Sequence, residues 1–431
     1  MEIALPYGRD EEVIINVPDG NLAGVLSPPD VKGAADEDEL IRRALENPIG
    51  APPLQDVVRR GMRVAIVVSD ASRPNIERKI LPHLLRELEG VGVGLEDLIF
   101  GIGTGAHRQA TEEELVEMLG EEVCRHSAII NHQAGIDPMV DLGRTSQGYP
   151  IKINRAIVEA DFKIAIGTVL PHPFAGYSGG GKAISVGVAS AETIASTHTP
   201  QTLEHPRTGL GILDGNPFYL ASLEMARKIN LGLLINATVD PEERLVDVVA
   251  GEVEAAHREL VRRSADVMFK VPFPEPADIV VVSSGYPKDG NLYHGVAEGV
   301  CIVAGDANPT PCVKKGGTII LVSPMEEGVY NQVFGRCMKD AKDPKEVMER
   351  VLEEGVTEPG QHRAYGVAKI LIDHEVICAQ SRMDPAELRS MHFKAMDSAQ
   401  EALDMALAKH GPGAKVLVLQ NSHRLIPVRA S

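Results

Sequence analysis

The chain has 431 residues, 44% of them hydrophobic and 24% charged; aromatics make up only 4%, Trp is absent, and the formal net charge is −18. That length exceeds one compact core and predicts two domains, each filled mainly by Val, Ile, Leu and Ala. The acidic balance excludes nucleic acid and anionic membranes as partners of the general surface, while a local site can still be basic.

The opening residues, MEIALPYGRDEEVIINVPDG, carry no basic segment followed by an apolar one, as a secretory signal would. No apolar run approaches the roughly 18 residues of a membrane-spanning helix, so a cytoplasmic location is expected. The five cysteines (Cys124, Cys301, Cys312, Cys337 and Cys378) are scattered, with no C-x-x-C spacing. This argues against a disulfide framework and against a thiolate zinc site.

In chain order, RVAIVVSD (63–70) predicts a buried strand, and IERKILPHLLRELEG (76–90) the helix after it, with Pro82 inside. DLIFGIGTGAH (97–107) is the next strand with its exit loop, and TEEELVEMLG (111–120) a helix capped by Thr111 and closed by Gly120. ADFKIAIGTVLPHP (160–173) and LGLLINATVD (231–240) are further strands, with helices at 189–197 and 253–269. VPFPEPAD (271–278), with three prolines in eight residues, predicts a linker. Beyond it the alternation resumes with strands at 278–285, 316–324 and 414–422 and helices near 291–305, 343–354 and 398–409. The expected fold is two α/β domains with mainly parallel sheets, 1–272 and 273–431, and an active-site cleft between them.

Four strand exits carry chemistry-bearing residues: SDASRP (69–74), GTGAHR (103–108), GTVLPHP (167–173) and SSGYPKDGN (283–291). Ligands of parallel sheets bind beyond the carboxyl ends of the strands. Asp70 either caps the next element or contacts a ligand, and Arg73 suits a phosphate or carboxylate. His107 and His172 are two imidazoles on strand exits, able to flank one small substrate as acid and base. The loop bearing Lys288, Asp289, Asn291 and Tyr293 is either a plain turn or a substrate-binding segment.

The segment GYSGGGKA (176–183) fits the spacing of a phosphate-binding loop, but Ala183 stands where a hydroxyl would hold Mg²⁺, and no apolar strand precedes Gly176. Ser178, Gly179, Gly180 and Gly181 could bring backbone amides close to a phosphate. Lys182 would then be a phosphate ligand or a nucleophile that forms a covalent adduct.

Taken together, SDASRP, GTGAHR, PHPFAGYSGGGK, STHT (196–199) and GYPKDGNLY resemble the nickel-dependent lactate racemase family of 2-hydroxy acid racemases and epimerases, in the order that family has them. The resemblance implies a nickel-pincer nucleotide cofactor, attached covalently to Lys182, with His198 as the protein ligand of a square-planar Ni. It also implies His107 and His172 as the acid–base pair, Asp70 and Arg73 beside the cofactor or a catalytic His, and reversible hydride transfer through a planar oxo acid. The implied partners are a small-molecule 2-hydroxy acid and the cofactor-synthesis enzymes, and a homo-oligomer is compatible with the sequence. Gly290 and the lack of Trp depart from a lactate-specific pattern and point to another substrate, with Lys288 or His294 serving a longer or more acidic one. The other readings are a non-catalytic protein that binds the cofactor or a nucleotide, and a dehydrogenase using the same cofactor.

Overall fold

A computed structural model describes residues 1–306 and 309–430. Its frame is two six-stranded sheets. The first sheet runs Leu245–Gly251, Leu233–Val239, Phe162–Thr168, Val64–Ser69, Leu98–Gly103 and Ala128–Asn131 in spatial order, all parallel except the outer Leu245–Gly251. The second runs Lys394–Met396, Glu375–Ala379, Val313–Val322, Ala277–Val282, Val416–Leu419 and Leu22–Leu26, and is parallel throughout. Central strands such as Val64–Ser69 are almost wholly buried, as expected for parallel strands covered by helices on both faces.

The three candidate exits of the first sheet leave adjacent strands, because Val64–Ser69 lies between Phe162–Thr168 and Leu98–Gly103. The exit after Ala277–Val282 is likewise central in its own sheet. The two units pack directly on one another: Phe174 and Leu203 join the core of the second, while Ile302 and Ile426 join that of the first. No helix among the described residues is long and apolar enough to cross a membrane, and the five cysteines are free.

The helix over 76–90 forms as Glu77–Gly90 and tolerates Pro82. Thr111 caps Glu112–Leu119 through a reciprocal box with Glu114. Two expectations need correction. The segment 271–278 is not a free linker, since Lys270–Phe273 pairs in parallel with Ile426–Arg429 and Ala277 already begins a sheet strand. Pro272 is tolerated because a two-stranded pair leaves one edge without a ladder. A boundary at 272 also misplaces the amino terminus: Leu22–Leu26 is the edge strand beside Val416–Leu419, and the hairpin of Glu2–Tyr7 and Glu11–Asn16 covers the second sheet. The second unit is therefore built from both ends of the chain.

That hairpin and the residue after it bury Ile3, Leu5, Tyr7, Val13, Ile15 and Val17 against the second sheet. At about 1.5–3 kcal/mol for each fully buried large apolar side chain, the loss rivals the whole stability of a typical domain. Deletion of residues 1–26 is thus expected to abolish the cooperative urea transition of the second unit. A 27–431 chain with native ellipticity and an unchanged midpoint would contradict the assignment.

Candidate active site

The facing exits enclose a cleft with about 1120 Å³ of empty space, part of it open to solvent. Asp70, Arg73, His107, His172, Ser178, Gly179, Gly180, Lys182 and His198 all line it, so the structure brings together most of the residues singled out in the sequence. Tyr293 and His294 enter from the second unit, as do Glu298, His362 and Arg363, which sequence reasoning did not identify as site residues.

Asp70 is buried, and its Oδ2 lies 2.7 Å from His107 Nδ1. A carboxylate only accepts, so Nδ1 carries a proton, and in the neutral form of the ring Nε2 presents a lone pair. Burial opposes the charge on Asp70, but His107, Arg73 and the Ser72 contact outweigh it and hold the carboxyl well below the usual range. The loop is braced from below by Glu77, whose Oε1 accepts from the Ser69 amide at 2.9 Å and whose carboxyl burial pushes up to about 7. His107 Nε2 meets His294 Nε2 at 3.4 Å across the cleft.

His172 has the opposite tautomer. Its Nδ1 accepts from the amides of Phe174 and Ala175 at 3.2 and 3.1 Å, so the neutral ring carries its proton on Nε2. Burial, with Lys182 and Arg73 nearby, holds it well below the ordinary histidine value. His198 donates Nδ1–H to the Ile194 carbonyl at 2.7 Å, leaving Nε2 bare. Burial lowers it to about 4 despite that bond, so the ring is neutral at pH 7. A neutral imidazole oriented by a backbone carbonyl is how proteins prepare a histidine metal ligand. Among the described residues no three His, Cys, Asp or Glu groups cluster as a metal site.

Lys182 starts the turn Ala183–Gly187 and projects half-buried into the cleft. Burial, then Arg73, brings its amine down to about 7, so a large neutral, nucleophilic fraction exists near neutrality. The preceding glycines owe their identity to chain packing. Gly180 has φ +57°, and its N–H is bound by Asn236 Oδ1 at 2.9 Å. A Cβ on Gly181 would lie 2.4 Å from the Ser222 carbonyl oxygen. The Ser178 hydroxyl bonds the Thr168 carbonyl at 2.8 Å, and the Ser178 carbonyl accepts from His257 Nε2 at 2.9 Å. The loop therefore works as a rigid mount for Lys182, with the Gly180 amide and the Ser178 hydroxyl already engaged.

Lys288 is buried and donates to the Ser72 carbonyl at 2.9 Å, tying the second unit to the Asp70 loop; burial and Arg73 lower it to about 7. Asp289 and Asn291 lie outside the main cleft and build their own loop. Asp289 Oδ2 accepts from the Gly8 amide at 2.8 Å, while Asn291 caps the next turn through the His294 amide and donates to Glu327. His362 and Arg363 open the helix Gln361–Asp373, whose cap is Gly360. The Pro359–Gly360 pair was the signal that could have placed this helix start over the cleft.

The family of lactate racemase N-terminal domains matches residues 7–211, and that of lactate racemase C-terminal domains matches residues 273–426. The lactate racemase of Thermoanaerobacterium thermosaccharolyticum is 33% identical over 433 residues, covering 98% of each chain. That of Lactiplantibacillus plantarum is 32% identical over 429 residues, covering 97% of each. The structure of the T. thermosaccharolyticum lactate racemase apoprotein superimposes with a TM-score of 0.87 at 31% identity, covering 99% of this chain and all (100%) of that one. A Thermotoga maritima protein shares the fold at a TM-score of 0.71 and 17% identity, covering 93% of this chain and 100% of its own. Fold and cleft together define an isomerase, a racemase acting on a small molecule. The chain belongs to the lactate racemase family.

The lowered amine of Lys182 has a definite sign in stability. Between about 7 and its ordinary value of 10.5 the unfolded chain binds more protons than the folded one, so Lys182 makes stability rise with pH in that window and adds no slope below it. Thermal melts of the cofactor-free protein and of Lys182→Met between pH 7 and 10 are expected to diverge, with the variant losing part of the rise. Parallel curves would contradict a depressed amine.

Proposed function

We propose that this racemase inverts the hydroxyl-bearing carbon of a small 2-hydroxy acid, with a nickel-pincer nucleotide attached covalently to Lys182. The observation that carries the reading is the pairing, in one cleft, of a lysine brought near neutrality with His198, whose Nε2 is bare and whose Nδ1 is fixed by Ile194. When bound, the cofactor would supply reversible hydride-acceptor chemistry for the substrate's carbon-bound hydrogen.

The chain's own residues bind, orient and move protons. Lys182 would hold the nucleotide and His198 would ligate the nickel. Arg73, with Lys288 behind it, gives the cleft the positive charge that a carboxylate substrate requires. His107 takes the hydroxyl proton on Nε2, while Asp70 fixes the tautomer and stabilises the imidazolium that forms. His172 is the second acid–base group and serves the other enantiomer. Its resting Nε2–H can donate a hydrogen bond to the substrate oxygen, whereas taking or giving a proton there requires Nδ1 to carry a proton and to give up the Phe174 and Ala175 amides. Closure of the two units over the substrate excludes water and retains the oxo acid. The enzymes that synthesise the cofactor are obligatory partners, and the cytoplasm, where they would meet this chain, is the proposed location. Lactate is the first substrate to test, since both curated relatives are lactate racemases.

Protein co-produced with the cofactor-synthesis enzymes is expected to show a nickel-bearing adduct of nucleotide mass on Lys182. The Lys182→Ala variant should show none, and an adduct on that variant would defeat the assignment. His107→Ala should keep the adduct while inversion falls by about 10²–10⁴-fold, the usual contribution of a general base. Full activity in His107→Ala, measured by chiral chromatography, would remove it from the mechanism.

A further inference from the structure

The second unit lines the cleft with two buried ionic side chains that the proposed proton and hydride chemistry does not use. Glu298 is 7% exposed, and its Oε2 has no hydrogen-bond partner. It sits in the π-helical turn Val296–Val300, a wide turn that often marks functional sites. Arg363 is 6% exposed, and its Nε is likewise unpartnered. Its guanidinium lies 4.9 Å above the Phe174 ring and 5.7 Å from that of Tyr293, and Nη1 reaches the Cys301 sulfur at 3.5 Å. Among the described residues no ion pair joins Glu298 to Arg363. Both are lining residues of the cavity that holds Lys182, His172 and His198.

Buried polar atoms are ordinarily satisfied, and an unsatisfied pair of opposite character in one cavity wall describes the ligand that would satisfy it. Resting on the function proposed above, we infer that Glu298 and Arg363 form a subsite for the substrate's tail, and that the substrate is a 2-hydroxy acid bearing a further hydroxyl beyond the reacting carbon. A hydroxyl both donates and accepts. It gives its proton to Glu298 Oε2 and takes an N–H from Arg363. A methyl group, as in lactate, would leave Glu298 Oε2 and Arg363 Nε desolvated and without a hydrogen-bond partner. A second carboxylate would suit Arg363 but face Glu298. Sites built to hydrogen-bond a substrate hydroxyl reject analogues that lack it by large factors.

The test uses the cofactor-loaded enzyme with glycerate, gluconate, lactate and malate as probes. The expected result is a kcat/KM for glycerate or gluconate at least about 100-fold above that for lactate and for malate. Glu298→Gln and Arg363→Met should each lower that ratio at least about tenfold, with Arg363→Lys restoring part of it. Preference for lactate or malate would overturn the subsite and leave the racemase reading intact. An equal fall for all four acids in both variants would also overturn it, because that is the mark of a role in folding or in holding the cofactor. Turnover of none of them by nickel-loaded enzyme would defeat the functional reading itself, and the subsite with it.

Discussion

Four cationic side chains meet at the junction of the two units: Arg73, Lys182, Lys288 and Arg363. Three of them line the cleft itself, and Lys288 reaches its rim through the Ser72 carbonyl. Water cannot screen charges so placed, and both lysines respond by coming down to about 7. Asp70 keeps its negative charge chiefly through His107, with Arg73 of this group assisting, and it fixes the ring of His107 in turn. In a chain with a net charge of −18 this is a local inversion of sign. Such a local concentration of positive charge draws anions from solvent even where the net charge of the chain is negative.

The two acid–base candidates are not equivalent at rest. His107 is backed by a carboxylate and presents a lone pair; His172 is backed by two amides and presents a proton. In the two-base reaction proposed above, His172 can take a proton on Nε2 only after Nδ1 gives up those two amides. The loop between the paired residues Pro171–His172 and Gly176–Tyr177 holds the amides responsible, and its conformation thereby becomes part of the proton balance.

Much of this was legible in the sequence. Short β-branched runs ending in SDASRP, GTGAHR and PHP read as buried strands with chemically equipped exits, and three of them are adjacent in the sheet. What could not be read has physical reasons. Leu22–Leu26 is half-exposed and its partner lies near the other end of the chain, so no local pattern announces it. His362 and Arg363 begin a helix with a Gly cap and no side-chain cap bond. Asp289 and Asn291 belong to residue types that serve equally as ligands and as builders of turns, and their partners, the amides of Gly8 and His294, are set by the fold. The glycines before Lys182 suggested an anion cradle, yet the contacts of Gly180 and Gly181 are with Asn236 and Ser222.

The position of Leu22–Leu26 sets an order of events for the growing chain. The strands of the first sheet span residues 64 to 251, so all are synthesised before those from Ala277 onward exist. The mount of Lys182 and the Asp70–His107 pair can thus assemble on a surface with no opposite wall. Leu22–Leu26 precedes all of these strands, has Val416–Leu419 as its sheet neighbour and stays unpaired until that strand is made. The sheet behind the cleft's second wall is completed only when Leu22–Leu26 and Val416–Leu419 meet.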